Sequence, residues 1–206
     1  LLFQELPTRK REERCQPAAV PIPYRQLVNW LMKNHPLEIF KYCPKCGSEL
    51  FEEHNAKSKH CSSCGFTYYQ NPCSATAAFI LNSKGELLVV RRGKEPAKDT
   101  LDLPGGFVDN NESGEQGIIR EIKEETGLDI KEVEYLFSIP NIYRYSGMDI
   151  HTLDMFYLCH ADEGAEIQAA DDAAACSWIP LRQVYVERFG LRSIREGVHR
   201  FLMLNR

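Results

Sequence analysis

From Ser74 onward the chain alternates between blocks whose apolar residues suit strands and blocks whose apolar residues recur at helical spacing. SATAAFIL (74–81), ELLVVRR (86–92), a short piece at Leu101 to Pro104, IKEVEYLFSI (130–139), DIHTLDMFYLC (149–159) and a segment through Cys176 and Trp178 read as strands. Asn82 to Gly85 reads as a turn, and the run IYRYSG separates the fourth and fifth strands. Helices are expected over the stretch after Ser113, after Pro180, and through the terminal LRSIREGVHRFLMLN. Upstream, residues 1–23 are charged and then proline-punctuated, with no steady apolar period. Tyr24 to Met32 places apolar residues at 24, 27, 28 and 31, the spacing of a short helix.

The most informative block is GGFVDNNESGEQGIIREIKEETGL, residues 105–128. Ser113 is a natural N-cap with Gln116 as its capping-box partner, and Gly127 is a natural C-terminal stop. At about 100° per residue, Glu121, Glu124 and Glu125 share one arc of the helix while Ile118, Ile119 and Ile122 share another that can face a core. Carboxylates at this spacing repel one another, and a hard divalent cation that takes oxygen ligands would neutralise them. The plainer alternative is a solvated acidic face balanced by Arg120 and Lys123.

The full spacing favours the cation. Gly106, five residues, Glu112, seven residues, Arg120-Glu121-Ile122, one residue, Glu124-Glu125, one residue and Gly127-Leu128 match every fixed position of the signature box of the Nudix hydrolases, which this chain resembles. The resemblance implies an α/β fold, an α/β/α sandwich with a mixed sheet between helices. It also implies metal-dependent hydrolysis of compounds in which a nucleoside diphosphate is linked to another moiety.

A second constellation precedes it. Cys43-Pro-Lys-Cys46-Gly, fourteen residues, then Cys61-Ser-Ser-Cys64-Gly form two C-x-x-C knuckles, the pattern of four thiolates around a structural Zn²⁺. Redox dithiols are the weaker reading, because neither pair stands between a strand and a helix. His54 and His60 lie between the knuckles as surface residues, and the lysines here are offset by Glu49, Glu52 and Glu53. The remaining strand cysteines, Cys73, Cys159 and Cys176, read as packed thiols. The expected organisation is a tail with a short helix (1–40), a zinc ribbon (41–70) and a Nudix domain (71–206). Residues 1–31 read as a fragment of a longer chain or as a mis-assigned upstream translation ahead of Met32.

A ribbon ahead of a Nudix domain resembles the NADH pyrophosphatase branch of that family. The resemblance implies that Mg²⁺ or Mn²⁺ is held by the Gly105 carbonyl, Glu121, Glu125 and an acid six residues before Trp178, here Asp172, with Glu124 a further ligand. Asp172 is shorter than the usual Glu, and Asp171 or Glu166 could substitute. Glu121 or Glu125 would orient or deprotonate the attacking water, with Arg120 locking the helix carboxylates in place. Arg91 and Arg92 end a strand where cations could meet phosphate, and Tyr143 or Tyr145 could stack on a base. After the box, Ser138, Pro140, Tyr143, Ser146 and Met148 match that branch's substrate motif, whereas its Gln, its Trp and two of its prolines are replaced. NADH, ADP-ribose, other dinucleotides, sugar nucleotides and nucleoside triphosphates therefore all remain within reach.

Charge narrows the partners. A formal net charge of −4 gives no basic field for gripping nucleic acid, and no stretch approaches a membrane span. A cytoplasmic enzyme with a small-molecule nucleotide substrate is expected, with a homodimer left open. A nucleotide-sensing Nudix module without hydrolysis, its ribbon bound to nucleic acid, is the alternative from another class, and the full set of box carboxylates argues against it.

Overall fold

The computed structural model describes residues 35–145, 147–162, 167 and 173–205. The N-terminal tail, the helix expected at Tyr24 to Met32, and the acids Glu166, Asp171 and Asp172 lie outside the described residues. The chain divides into two compact units between Tyr68 and Tyr69.

In the first unit β1 (Phe51–Asn55), β2 (Ser58–Cys61) and β3 (Thr67–Tyr69) form a three-stranded sheet in that order, with β1 and β2 antiparallel. The two cysteine knuckles repeat one backbone design. Cys43 N–H donates to Ser48 O and Gly47 N–H to Cys43 O, while Cys61 N–H donates to Phe66 O and Gly65 N–H to Cys61 O. Gly47 (φ 73°) and Gly65 (φ 72°) take the left-handed conformation that closes each turn. The buried centre of this unit is only Cys43, Phe51 and Cys61, with Cys64 and Phe66 packed against it. Such a core is too small to hold a fold unaided.

The second unit is built on a six-stranded mixed sheet of β4 (Cys73–Leu81), β5 (Glu86–Arg92), β6 (Leu101–Asp102), β7 (Val133–Tyr145), β8 (Met148–His160) and β9 (Ala173–Pro180). Its order is β6-β5-β4-β8-β7, with β9 antiparallel to β5 and β4 parallel to β8. The period of two along each strand sends side chains to two separate cores. Ala78, Ile80, Leu88 and Tyr157 meet Ile118 and Ile122 of α1 (Gly114–Thr126) on one face. Phe79, Leu87, Val89, Phe137 and Phe156 meet Ile194, Val198 and Phe201 of α2 (Arg192–Leu204) on the other. The sheet between two helices is the expected α/β/α sandwich.

Several local expectations change. Ile119 is half-buried and not part of the core under α1, whose buried face runs through Gly117, Ile118, Ile122, Glu125 and Thr126. The IYRY run does not interrupt the strands. It extends β7 to Tyr145, and the ladder with β8 continues to the Tyr145↔Met148 pair, braced by Arg144 Nη1 donating to Asp149 at 2.6 Å. The segment after Pro180 forms two single 3₁₀ turns, Leu181–Gln183 and Val186–Arg188, rather than a helix. Cys159 is buried as expected and Cys176 half-buried, but Cys73 is exposed at the open end of β4.

β4 and β5 pair only at Leu81↔Leu87 and then diverge. The chain after β6 fills the gap: Thr76 N–H donates to Gly106 O, Ala78 N–H to Pro104 O, and Val108 N–H to Ser74 O. This split in the sheet seats the box.

Candidate active site

α1 begins and ends as its sequence dictates. The Ser113 side chain accepts from Gln116 N–H while the Gln116 side chain accepts from Ser113 N–H, and Gly127 (φ 74°) returns its N–H to Lys123 O. Both glycines of the turn ahead of the helix are required by close approach. A Cβ on Gly105 would lie 2.1 Å from Thr76 O, and one on Gly106 would lie 2.6 Å from the Glu121 carboxylate. The loop thus lies flush against β4 on one side and against the helix acids on the other.

Arg120 organises those acids. Its Nε donates to Glu112 Oε1 at 2.9 Å and Nη2 to Glu112 Oε2 at 3.0 Å, a bidentate grip. Nη1 donates to Glu121 at 2.8 Å and to Glu124 at 3.0 Å, and Nη2 also donates to Phe107 O at 3.0 Å. All five N–H donors of the guanidinium are thereby used. Hydrogen bonds from Arg120 hold the Glu112 carboxyl below the usual range, helped by Asp109 N–H, and the bonds that Arg120 donates to Glu112 and then to Glu121 push its guanidinium up. Glu125 turns the other way: it is buried, and its Oε2 accepts from Gly105 N–H at 3.0 Å. The helix carboxylates are therefore fixed from two sides, Glu121 and Glu124 by Arg120 and Glu125 by the glycine turn.

These oxygen donors, with one arginine among several acids, fit a hard divalent cation. The four cysteines fit a different one. Cys43 Sγ lies 3.7 Å from Cys64 Sγ, Cys46 Sγ lies 3.7 Å from Cys61 Sγ, and all four sulfurs fall within 4.8 Å of one another. A tetrahedron with metal–sulfur bonds of about 2.3 Å has edges of about 3.8 Å, so two edges of the quartet already match a zinc site and the rest lie within about an ångström of one. Burial opposes ionisation of Cys61, yet the N–H groups of Cys64 and Ser63 bring its thiol down to about 7. That favours the thiolate a metal needs at Cys61, while at Cys46 the Ser48 N–H pulls downward but the hydrogen bond with the Cys64 sulfur and desolvation push the thiol up to about 12.

Beside the box lies a cavity of about 200 Å³ on the α2 face of the sheet. That face is filled by phenylalanines at 79, 137 and 156, but at the box end β4 contributes only the small side chains of Ala75 and Ala77, which border the cavity. Gly105, Gly106, Phe107 and Glu125 form its box side, and Tyr143 stands there with Phe107 edge-on at 6.1 Å.

The structure treats the expected substrate residues unequally. Tyr143 lines the cavity, while Tyr145 is 62% exposed and stacks on Tyr143 from outside it. Arg92 lines the cavity but is committed elsewhere: Nη1 pairs with Asp102 at 2.5 Å and Nε donates to Pro96 O at 2.8 Å. Arg91 is exposed and does not line the cavity. Part of the Arg92 guanidinium therefore serves the sheet, and Arg91 is not among the residues that border the cavity.

The sequence reading missed Asp102, Asn141, Thr152, Asp154 and Ser193, all of which line this cavity. Burial raises the Asp102 carboxyl above its ordinary value, with the neighbouring Asp154 charge adding to that, against the pull of Arg92. An acid sitting among apolar neighbours, as Asp102 does between Leu101 and Leu103 and as Asp154 does in a β-period strand, was the available signal.

The arrangement is an α/β/α sandwich with a glycine turn and an acid-bearing helix set into a split sheet. Residues 71–201 match the NUDIX domain, and the chain belongs to the Nudix family. It is 33% identical over 113 residues to an NAD-capped RNA hydrolase NudC of Deinococcus radiodurans, covering 52% of this chain and 39% of that protein. It is 32% identical over 123 residues to an ADP-ribose pyrophosphatase of Methanocaldococcus jannaschii, covering 58% of this chain and 68% of that one. A crystal structure of a Nudix hydrolase from Nitrosomonas europaea superposes with a TM-score of 0.62 at 20% identity over 79% of this chain and 90% of the other. The chain spans well under half the length of the NudC relatives it matches, 39% and 35% of the first two.

Proposed function

We propose that this protein hydrolyses a diphosphate linkage in a nucleoside diphosphate derivative such as a dinucleotide, ADP-ribose or a related compound. The observation that carries the reading is that Arg120 and the Gly105 N–H together hold a complete set of box carboxylates, with Gly105, Gly106 and Glu125 bordering a cavity. The names of the relatives, an NAD-capped RNA hydrolase and an ADP-ribose pyrophosphatase, support the same bond type.

The Gly105 carbonyl, Glu121, Glu124 and Glu125 would hold Mg²⁺ or Mn²⁺, and Asp172, outside the described residues, is the expected fifth contributor. When bound, the cation supplies a Lewis acid for attack of water on phosphorus and offsets charge on the bridging oxygens. The protein's own part is orientation. Glu121, tied to Arg120, and Glu125, tied to Gly105 N–H, are the two carboxylates placed to orient the attacking water or take its proton, and Arg120 acts by positioning. The Tyr143 ring, braced by Phe107, offers a stacking face for a planar base. The ribbon zinc is structural because its four positions are all filled by cysteine. A cytoplasmic setting accords with the described cysteines, which are all unpaired.

The test is Mg²⁺- and Mn²⁺-dependent turnover against NADH, NAD⁺, ADP-ribose, sugar nucleotides and nucleoside triphosphates, with Glu125→Gln as control. Cleavage of a member of the panel, lowered about 10²–10⁴-fold by the substitution, is expected. Silence across the panel in folded, zinc-loaded protein would overturn the hydrolase in favour of a nucleotide-sensing module.

A further inference from the structure

The end of the cavity lined by Asn141, Thr152 and Asp154 is chemically mixed. Asp154, 7% exposed, accepts from Thr152 Oγ1 at 2.6 Å and from Asn141 Nδ2 at 3.1 Å. A carboxylate has about four lone-pair sites, so acceptor capacity remains. Strand register builds this arrangement: Ala75 on β4 lies beside Asp154 on β8, and Thr152 pairs with Asn141 on β7. α2 begins with Leu191, which supplies no side-chain cap for the first N–H groups of the helix, and Leu191, Ser193 and Ile194 of this turn border the same cavity. Ser193 sits in that first turn, borders the cavity, is 1% exposed, and has no hydrogen-bond partner for its hydroxyl among the described residues.

A buried hydroxyl without a partner is uncommon in a native fold and asks for a ligand atom. Which ligand follows from the pairing of opposites. A terminal phosphate accepts only: Arg92, already paired with Asp102, and Lys94 border the cavity and would attract it, but it cannot donate to Asp154, which it would meet as a like charge. An ammonium donates only, and it would meet the helix N-terminus unfavourably. A hydroxyl both donates and accepts, and so satisfies a carboxylate on one side and helix N–H and serine O–H groups on the other.

We propose that this end of the cavity binds a neutral, hydroxyl-bearing moiety on the diphosphate, of pentose or sugar type, and that Asp154 and Ser193 select it over a terminal phosphate. Asn141 and Thr152 position Asp154. The assignment rests on the hydrolase reading for its substrate class, but its test does not require turnover.

Calorimetric titration with ADP-ribose and with ADP reads the contribution of the distal ribose as a ratio of affinities. The wild-type protein should bind ADP-ribose at least tenfold more tightly than ADP. Ser193→Ala and Asp154→Asn, the latter placing an N–H where an acceptor is needed, should each lower that ratio at least fivefold. Ser193→Ala should leave the ligand-free Tm unchanged or raise it, because an unpartnered hydroxyl has been removed. Turnover of ADP-ribose against a nucleoside triphosphate by the same variants should shift toward the triphosphate. Equal affinity for the two ligands, or a ratio untouched by both substitutions, overturns the assignment even if the enzyme is active. A selective ratio in a protein that hydrolyses nothing keeps the assignment and removes the hydrolase.

Discussion

The two metal-fitting groups of this chain are prepared in different ways. The cysteine sulfurs stand at metal-binding separation, with pairs at 3.7 Å, whereas the box carboxylates are not gathered that tightly and are drawn off to Arg120 and Gly105. Thiols can stay protonated and lie together without Coulomb repulsion, while carboxylates at neutral pH cannot, and so they need a resident counter-ion. The first group doubles as its unit's core, and the second hangs from a helix whose core is elsewhere. Losing the cation should therefore unfold one region and only silence the other.

The largest effect should follow Cys61→Ser. Cys61 is fully buried, pairs its backbone with Phe66, and is one of the three residues at the centre of the ribbon. Metal binding in small zinc domains contributes on the order of 10 kcal/mol or more of folding free energy. The variant should lose stoichiometric zinc, measured by elemental mass spectrometry, together with hydrogen-exchange protection over residues 51–61. A strong chelator should do the same to the wild type. Retained protection in metal-free protein would show that Phe51 and Phe66 suffice without the metal.

At the box, two adjacent glycines separate stability from chemistry. Gly105→Ala drives a Cβ onto the Thr76 carbonyl, backbone against backbone, at φ 150°, and should cost about 2–5 kcal/mol in urea unfolding. Gly106→Ala meets instead the movable end of Glu121. It should cost about 1 kcal/mol or less while lowering kcat tenfold or more, because the carboxylate must shift. Similar stability losses in both would mean that Glu121 is as rigidly held as β4.

Arg120→Lys comes next. Lysine keeps the charge but cannot span Glu112, Glu121, Glu124 and the Phe107 carbonyl at once. The side chain is 25% exposed, so its five bonds do not add at full strength, and a loss of about 1–3 kcal/mol is expected with activity down about 10–100-fold. An unchanged kcat would show that the network serves the fold alone.

How far the sequence disclosed these features depends on the distance over which each is encoded. The Ser113–Gln116 box, the Gly127 stop and the cysteine knuckles each lie within a few residues, and their spacing alone specifies the geometry. The fate of Arg92 was hidden because its partner, Asp102, arrives ten residues later through the β5–β6 pairing. Asp154, Asn141 and Ser193 come from three elements that only strand register and the α2 packing bring together. The length of β7 was misjudged because a polar-looking IYRY run was stabilised by a cross-strand partner, Asp149, rather than by its own pattern.

The smallest effect is also the one whose sign is most constrained. Arg120 and Asp109 N–H depress the Glu112 carboxyl in the folded state. A carboxylate with a folded pKa below its unfolded value of about 4.3 contributes stability that is fully present above that value. It is lost progressively as the pH falls from there through the depressed native value. Unfolding stability should therefore rise with pH across the region near and below pH 4.3, and Glu112→Gln should flatten that rise while leaving the profile above pH 6 nearly parallel to the wild type. Zinc-loaded protein must be compared at matched metal, since thiolate protonation in the ribbon would add an acid-dependent step of its own. A slope that survives Glu112→Gln would assign the dependence to the ribbon or to the other carboxylates around Arg120, and would show that the bidentate grip on Glu112 orients Arg120 without carrying much of its charge coupling.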